Sequence, residues 1–152
     1  MRNDLLLLVF ALMTLTAAAA AEELLPKPFG TGFPLLLAAV PFFRERGGAT
    51  GGILFALAAG AIEETLSDLP CFSATVFFAL YSLSQRRFFF APFMAALAYP
   101  VYQLWLWIWS PSLAGGIFTR LLLSPFTAFA AGLAMTGILE FFCRKAALDE
   151  PE

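Results

Sequence analysis

Apolar runs separated by short polar or proline-rich stretches make up most of this chain of 152 residues. A transmembrane helix needs roughly 20 mostly apolar residues, because the hydrocarbon core of a bilayer is about 30 Å thick. The chain is 61% hydrophobic and 13% charged, an apolar excess too large for one soluble core to bury. We therefore predict an all-α membrane protein, a compact bundle of about six transmembrane helices, with spans at residues 5–21, 29–43, 49–66, 69–84, 88–109 and 117–142.

Two of these runs are short for a span. Residues 5–21 also resemble a secretory signal, with Arg2 ahead and alanines before Glu22, so cleavage stays open beside retention. Residues 33–43 are interrupted by Pro34 and Pro41. We expect them to cross together with residues 29–32 as a bent, partly irregular segment whose backbone neighbouring helices cover.

The basic residues fix an orientation for this single domain of residues 1–148, which is followed by an acidic tail at 149–152. Cytoplasmic loops of membrane proteins carry an excess of Lys and Arg. With both termini cytoplasmic, Lys27 and Arg120 lie outside, and the other basic positions lie inside: Arg2, Arg44, Arg46, Arg86, Arg87, Arg144 and Lys145. The acidic residues Glu22, Glu23, Glu63, Glu64 and Asp68 then gather on the outer side.

A stripe of small residues runs along the third predicted helix and ends in carboxylates: Gly52, Ala56, Gly60, Glu64 and Asp68. Small residues four positions apart share a helix face and let a neighbouring helix approach closely. We predict that these five residues bind a partner protein. Ordinary packing within the chain is the alternative, and a similar pattern recurs on the last helix at Ala128, Gly132, Thr136 and Glu140.

The polar residues do not form a recognisable catalytic, cofactor-binding or metal-binding motif. The chain has no His, and its net charge of −2 provides no basic footprint for nucleic acid. The pair Glu63-Glu64 resembles that of the intramembrane CAAX-type prenyl endopeptidases but lacks the basic residue and the His or Asn partners of those enzymes. We predict a protein that is not an enzyme, in which these carboxylates cap helices, face solvent or bind a partner.

Two further expectations concern the outer end of the bundle. Arg120 should pair with Glu64 or Asp68, because a charge within a membrane usually has a partner. An aromatic cluster is typical of a membrane interface, although it could also stack on a ring-shaped ligand: Tyr99, Tyr102, Trp105, Trp107 and Trp109.

Residues 60–87 resemble the rod-shape-determining MreD family. The similar elements are Gly60-Ala-Ile-Glu-Glu64, Asp68-Leu-Pro-Cys-Phe-Ser73 and the basic turn Gln85-Arg-Arg87, and Phe33-Pro-Leu-Leu-Leu37 is similar to that family's proline-containing second helix. Glu64 stands where the family usually has Asp. The resemblance implies a non-enzymatic scaffold in the bacterial inner membrane, working in lateral peptidoglycan synthesis with MreC, MreB, RodA and a penicillin-binding transpeptidase.

A second resemblance is to the substrate-binding S-components of energy-coupling-factor vitamin transporters, which are six-helix proteins of similar size. Their docking uses Ala-x-x-x-Ala pairs on the first helix, and Ala17 and Ala21 have that spacing. This alternative implies a vitamin pocket on the outer side, lined by Glu63, Glu64, Asp68 and Trp105.

Overall fold

The computed structural model describes residues 2–25, 32–85, 91–109 and 116–148. This part of the chain folds into six helices: α1 (Arg2–Leu24), α2 (Leu35–Arg46), α3 (Gly48–Leu66), α4 (Ser73–Ser84), α5 (Ala91–Trp109) and α6 (Ile117–Leu148). The prediction of an all-helical bundle is confirmed over these residues. The predicted acidic tail and three of the basic residues, Lys27, Arg86 and Arg87, lie outside them.

Within the described residues, three helices are long and apolar enough to cross a bilayer, at Leu5–Leu24, Gly48–Leu66 and Ile117–Lys145. Large apolar side chains also cover the outside of the bundle; Leu97 and Phe118 are 69% and 85% exposed. Exposed apolar surface of this extent marks a face that meets lipid or another protein. The fold is thus that of a helical membrane protein with three clear candidate spans, while six crossings remain a prediction.

Helix α2 lies at the centre of the bundle, where it contacts each of the other five helices. Its residues 35–43 are all buried. An aromatic cluster surrounds its second half, where Phe42 and Phe43 contact Phe10 of α1 and Phe43 stacks on Phe55 of α3 at 4.1 Å between ring centroids. Neighbouring helices therefore cover this proline-interrupted segment, as we expected for a short second span.

Two helix starts follow prolines. Pro34 precedes α2, whose first residue is Leu35, and the first residues of the predicted second span, 29–31, lie outside the described residues. Pro70 lies in a turn before α4 and not in its first turn, because Asp68 and Phe72 adopt positive φ values of 48° and 68°. The fourth helix consequently begins at Ser73.

Two close helix pairs complete the bundle. Gly60 of α3 lies against Thr75 of α4, where an added Cβ would be 2.5 Å from the Thr75 Cα. Gly132 of α6 lies in the same way against Pro92 of α5, at 2.6 Å from its Cα. Because these two glycines have no side chain, α3 can pack closely against α4, and α6 against α5.

Candidate ligand cavity at the acidic end of the bundle

A cavity of about 150 Å³ opens where α1 and α3 end and α2 and α6 begin. We call it the acidic cavity. Its polar lining comes from four helices or their flanking turns: Glu22, Glu23, Glu63, Ser67, Tyr99, Tyr102, Gln103 and Arg120. Apolar side chains, among them Phe33, Leu69 and Phe78, complete the wall. The cavity thus combines carboxylates, phenol groups and aromatic faces.

Glu22 and Glu63 form the acidic side of the cavity. The backbone N–H of Leu36 donates a 2.7 Å hydrogen bond to Glu22 Oε1, so this carboxylate caps the first turn of α2 from the end of α1. The carboxyl group of Glu63 lies within hydrogen-bonding reach of Glu22. Two carboxyl groups held this close favour a proton or another positive group between them.

Tyr99 and Tyr102 form the opposite wall, one helical turn apart on α5. Their rings are 6.1 Å apart between centroids and nearly parallel. The Tyr99 side chain hydrogen-bonds to Gln103. The Tyr102 side chain is only 2% exposed, and its hydroxyl group has no hydrogen-bond partner among the described residues. Both tyrosines are therefore buried cavity residues, and the prediction that they belong to an interfacial belt is wrong.

Arg120 lies in the first turn of α6 and lines the acidic cavity together with Glu63. We expected it to pair with Glu64 or Asp68, and that pairing stays a prediction. Successive residues point about 100° apart around a helix axis. Glu63 faces the cavity, whereas its neighbour Glu64 faces α4.

The Glu64 carboxylate caps α4. Its Oε1 accepts a 2.7 Å hydrogen bond from the backbone N–H of Thr75, and its Oε2 accepts a 3.0 Å bond from that of Phe72. The first N–H groups of a helix have no partner within the helix, so a carboxylate placed there stabilises it. Among the alternatives weighed for this residue, the capping role is the one that the geometry supports.

Of the other residues of the predicted partner stripe, three are buried within the bundle and one is exposed to solvent. Gly52 lies against Arg44 of α2, with an added Cβ only 2.7 Å from the Arg44 Cα, and Ala56 and Gly60 are buried. Asp68 is exposed in the turn after α3. The glycine face is thus occupied by the chain's own helices, and binding of a partner by the five residues stays a prediction.

Trp105 does not belong to the acidic cavity either. Its indole Nε1 donates a 2.8 Å hydrogen bond to the carbonyl oxygen of Ser73, which joins α5 to α4. Trp107 and Trp109 are 44% and 50% exposed, as interfacial anchors would be. Of the four residues proposed for a vitamin pocket, Glu63 lines the cavity, while Glu64, Asp68 and Trp105 do not.

Sequence reasoning did not single out Gln103 as a cavity residue. One usable signal exists in the spacing of Tyr99, Tyr102 and Gln103, since residues three and four positions apart share a helix face. The charge pattern placed Glu22 at this end of the bundle, but nothing in the sequence indicated its contact with Leu36, which is fourteen positions away in the chain.

These features define the class of protein: a helical bundle with apolar candidate spans and a polar cavity at one end. Comparison of the chain with protein-family models, with curated proteins and with solved structures finds no match.

Proposed function

We propose that this protein is a non-enzymatic, MreD-like scaffold of the cell-elongation machinery in the bacterial inner membrane. Its partners would be MreC, MreB, RodA and a penicillin-binding transpeptidase of lateral peptidoglycan synthesis. The observation that carries the proposal is that two elements of the resemblance, residues 60–64 and 68–73, contact each other at the start of α4. Gly60 lies against Thr75, and Glu64 caps the helix that the Asp68–Ser73 segment introduces.

The separation of the two adjacent glutamates supports a non-enzymatic role. A peptidase of the CAAX type would need both carboxylates of the pair in one site. Glu64 is held by two backbone N–H groups of the α4 start, while Glu63 faces the acidic cavity. We therefore assign Glu64 a structural role.

The proposed orientation places the acidic cavity on the periplasmic side and both termini in the cytoplasm. The distribution of Lys and Arg supports it, with Arg44 and Arg46 at the opposite end from Glu63 and Arg120. A partner with a periplasmic domain next to its transmembrane helix, such as MreC, would then meet the turn at residues 67–72. In this turn, Asp68 is the member of the predicted partner stripe that is exposed.

Co-purification from native membranes tests the scaffold function. The tagged full-length chain is extracted in mild detergent, and the recovered proteins are identified by mass spectrometry. Recovery of MreC or RodA supports the proposal, whereas their absence from preparations that retain the folded chain contradicts it.

A charge-removing variant locates the contact. Asp68→Asn removes the charge but keeps a residue that tolerates the left-handed conformation found there. We expect it to reduce recovery of MreC. Glu140→Gln is the matched control, because Glu140 lies near the other end of the bundle in an exposed pair with Arg144. Equal recovery with both variants would show that the acidic turn is not the contact.

The acidic cavity favours one second candidate function, that of a substrate-binding S-component. A pocket at one end of the bundle, with aromatic walls and a few polar groups, is typical of small-molecule sites. In the same co-purification experiment, this function requires recovery of a transporter ATPase pair instead of MreC.

A further inference from the structure

We propose that the acidic cavity binds a small organic cation, an amine whose ammonium group is held by Glu63 and Tyr102. The inference goes beyond the scaffold function, and in naming a ligand class it rests on the second candidate function. Binding can be measured on the isolated chain, so its outcome is separate from the recovery of any partner protein.

The charge of the cavity wall selects a cation. Three glutamates line the cavity, Glu22, Glu23 and Glu63, against one described cationic residue, Arg120. The Glu22 carboxylate already accepts the Leu36 N–H, and it lies next to the Glu63 carboxyl group. An ammonium group between these oxygens would supply the donors and the positive charge that such a pair favours.

The Tyr102 hydroxyl provides an observation independent of the acidic residues. The Tyr102 residue lines the cavity and is 2% exposed, and its hydroxyl has no hydrogen-bond partner among the described residues. Burying a hydroxyl without a partner costs free energy, so such groups normally meet a partner or a ligand. Its oxygen can accept a hydrogen bond from an ammonium N–H.

Aromatic walls and cavity size favour an organic cation over a bare metal ion. The rings of Phe78, Tyr99 and Tyr102 border the cavity, and ring faces attract ammonium groups within about 6 Å. The volume of about 150 Å³ matches that of cavities that hold one benzene molecule. A ligand of about six to eight non-hydrogen atoms therefore fits.

Benzylamine is a suitable probe, and its uncharged and anionic counterparts are benzyl alcohol and benzoate. Binding is measured by calorimetry and by thermal shift on the full-length chain in nanodiscs. We expect saturable binding of benzylamine, with benzyl alcohol and benzoate at least tenfold weaker. Equal binding of benzyl alcohol would overturn the requirement for a cation, and no saturable binding of benzylamine would overturn the ligand class. If sodium chloride or calcium chloride stabilised the chain as strongly as benzylamine does, the ligand would be a metal ion and not an amine.

Two variants with matched controls locate the site. Tyr102→Phe should weaken benzylamine binding about tenfold, since hydrogen bonds to charged groups have effects of this size. Tyr81→Phe should leave binding unchanged, because the Tyr81 hydroxyl also has no partner among the described residues, but Tyr81 lines a separate groove between α4 and α5. Glu63→Gln should weaken binding at least as much, with Glu140→Gln as its control. If both cavity variants fold, by circular dichroism, and bind benzylamine like the unchanged chain, the assignment of these residues is wrong.

Discussion

Gly60 lies so close to Thr75 that a methyl group in place of its hydrogen would be 2.5 Å from the Thr75 Cα. The atom in the way belongs to the backbone and cannot rotate aside. The contact therefore fixes the distance between α3 and α4. The Glu64 cap fixes how the two helices are positioned along their axes.

Gly60→Ala should destabilise the chain, because α4 must shift to make room for the methyl group. Overpacking of this kind costs about 1–3 kcal/mol. Gly137→Ala is the control, since a Cβ at this helical glycine meets nothing within 4 Å. Thermal unfolding in mild detergent should give a lower midpoint for Gly60→Ala and an unchanged or higher one for Gly137→Ala. Equal midpoints would contradict the close contact.

Glu64→Ala should also destabilise the chain, by about 1–3 kcal/mol, because it leaves the N–H groups of Phe72 and Thr75 without their acceptor. Glu140→Ala removes only a 3.8 Å pair between exposed side chains and should be nearly neutral. The comparison uses the same unfolding measurement. If Glu64→Ala left the stability unchanged, water would be replacing the carboxylate as the acceptor for these N–H groups.

Tyr102→Phe should leave the stability of the ligand-free chain unchanged or slightly increase it. The substitution removes a buried hydroxyl that has no partner among the described residues and keeps the ring that packs on Phe78 at 5.7 Å. A marked loss of stability would reveal a hydrogen bond to this hydroxyl and would weaken the case for a ligand there.

The proposed orientation predicts the labelling of two cysteines. Cys71 is exposed in the turn before α4, and Cys143 lies near the opposite end, on α6. A membrane-impermeant maleimide added to intact spheroplasts should label the Cys143→Ser variant, through Cys71, and should not label the Cys71→Ser variant. The reverse labelling pattern would show that the protein has the opposite orientation in the membrane.

The sequence allowed the helical class to be predicted because apolar run lengths carry that information directly. It also indicated that Glu22, Glu63 and Arg120 gather at one end, and the cavity brings these three residues together. It could not separate Glu63 from Glu64, since adjacent residues point in different directions and the direction depends on where α4 packs.

Tyr102 illustrates the same limit on another helix. A tyrosine near the end of an apolar helix is equally suited to a membrane interface and to a buried cavity. The orientation of α5 depends on its contact with α6 at Gly132 and Pro92, which are forty positions apart in the chain. Local periodicity places residues on a shared face but does not say which neighbour that face meets.

The depth of the acidic cavity follows from the length of α2. A single residue, Gly47, joins α2 to α3, so the end of α2 and the start of α3 lie at the same level. At 1.5 Å per residue, the 12 residues of α2 rise about 18 Å and the 19 residues of α3 about 28 Å. The central helix therefore stops about 10 Å below the top of its neighbour, and the recess is the space it leaves. Extending α2 by about two turns at its N-terminal end would therefore fill the recess and remove the binding chamber.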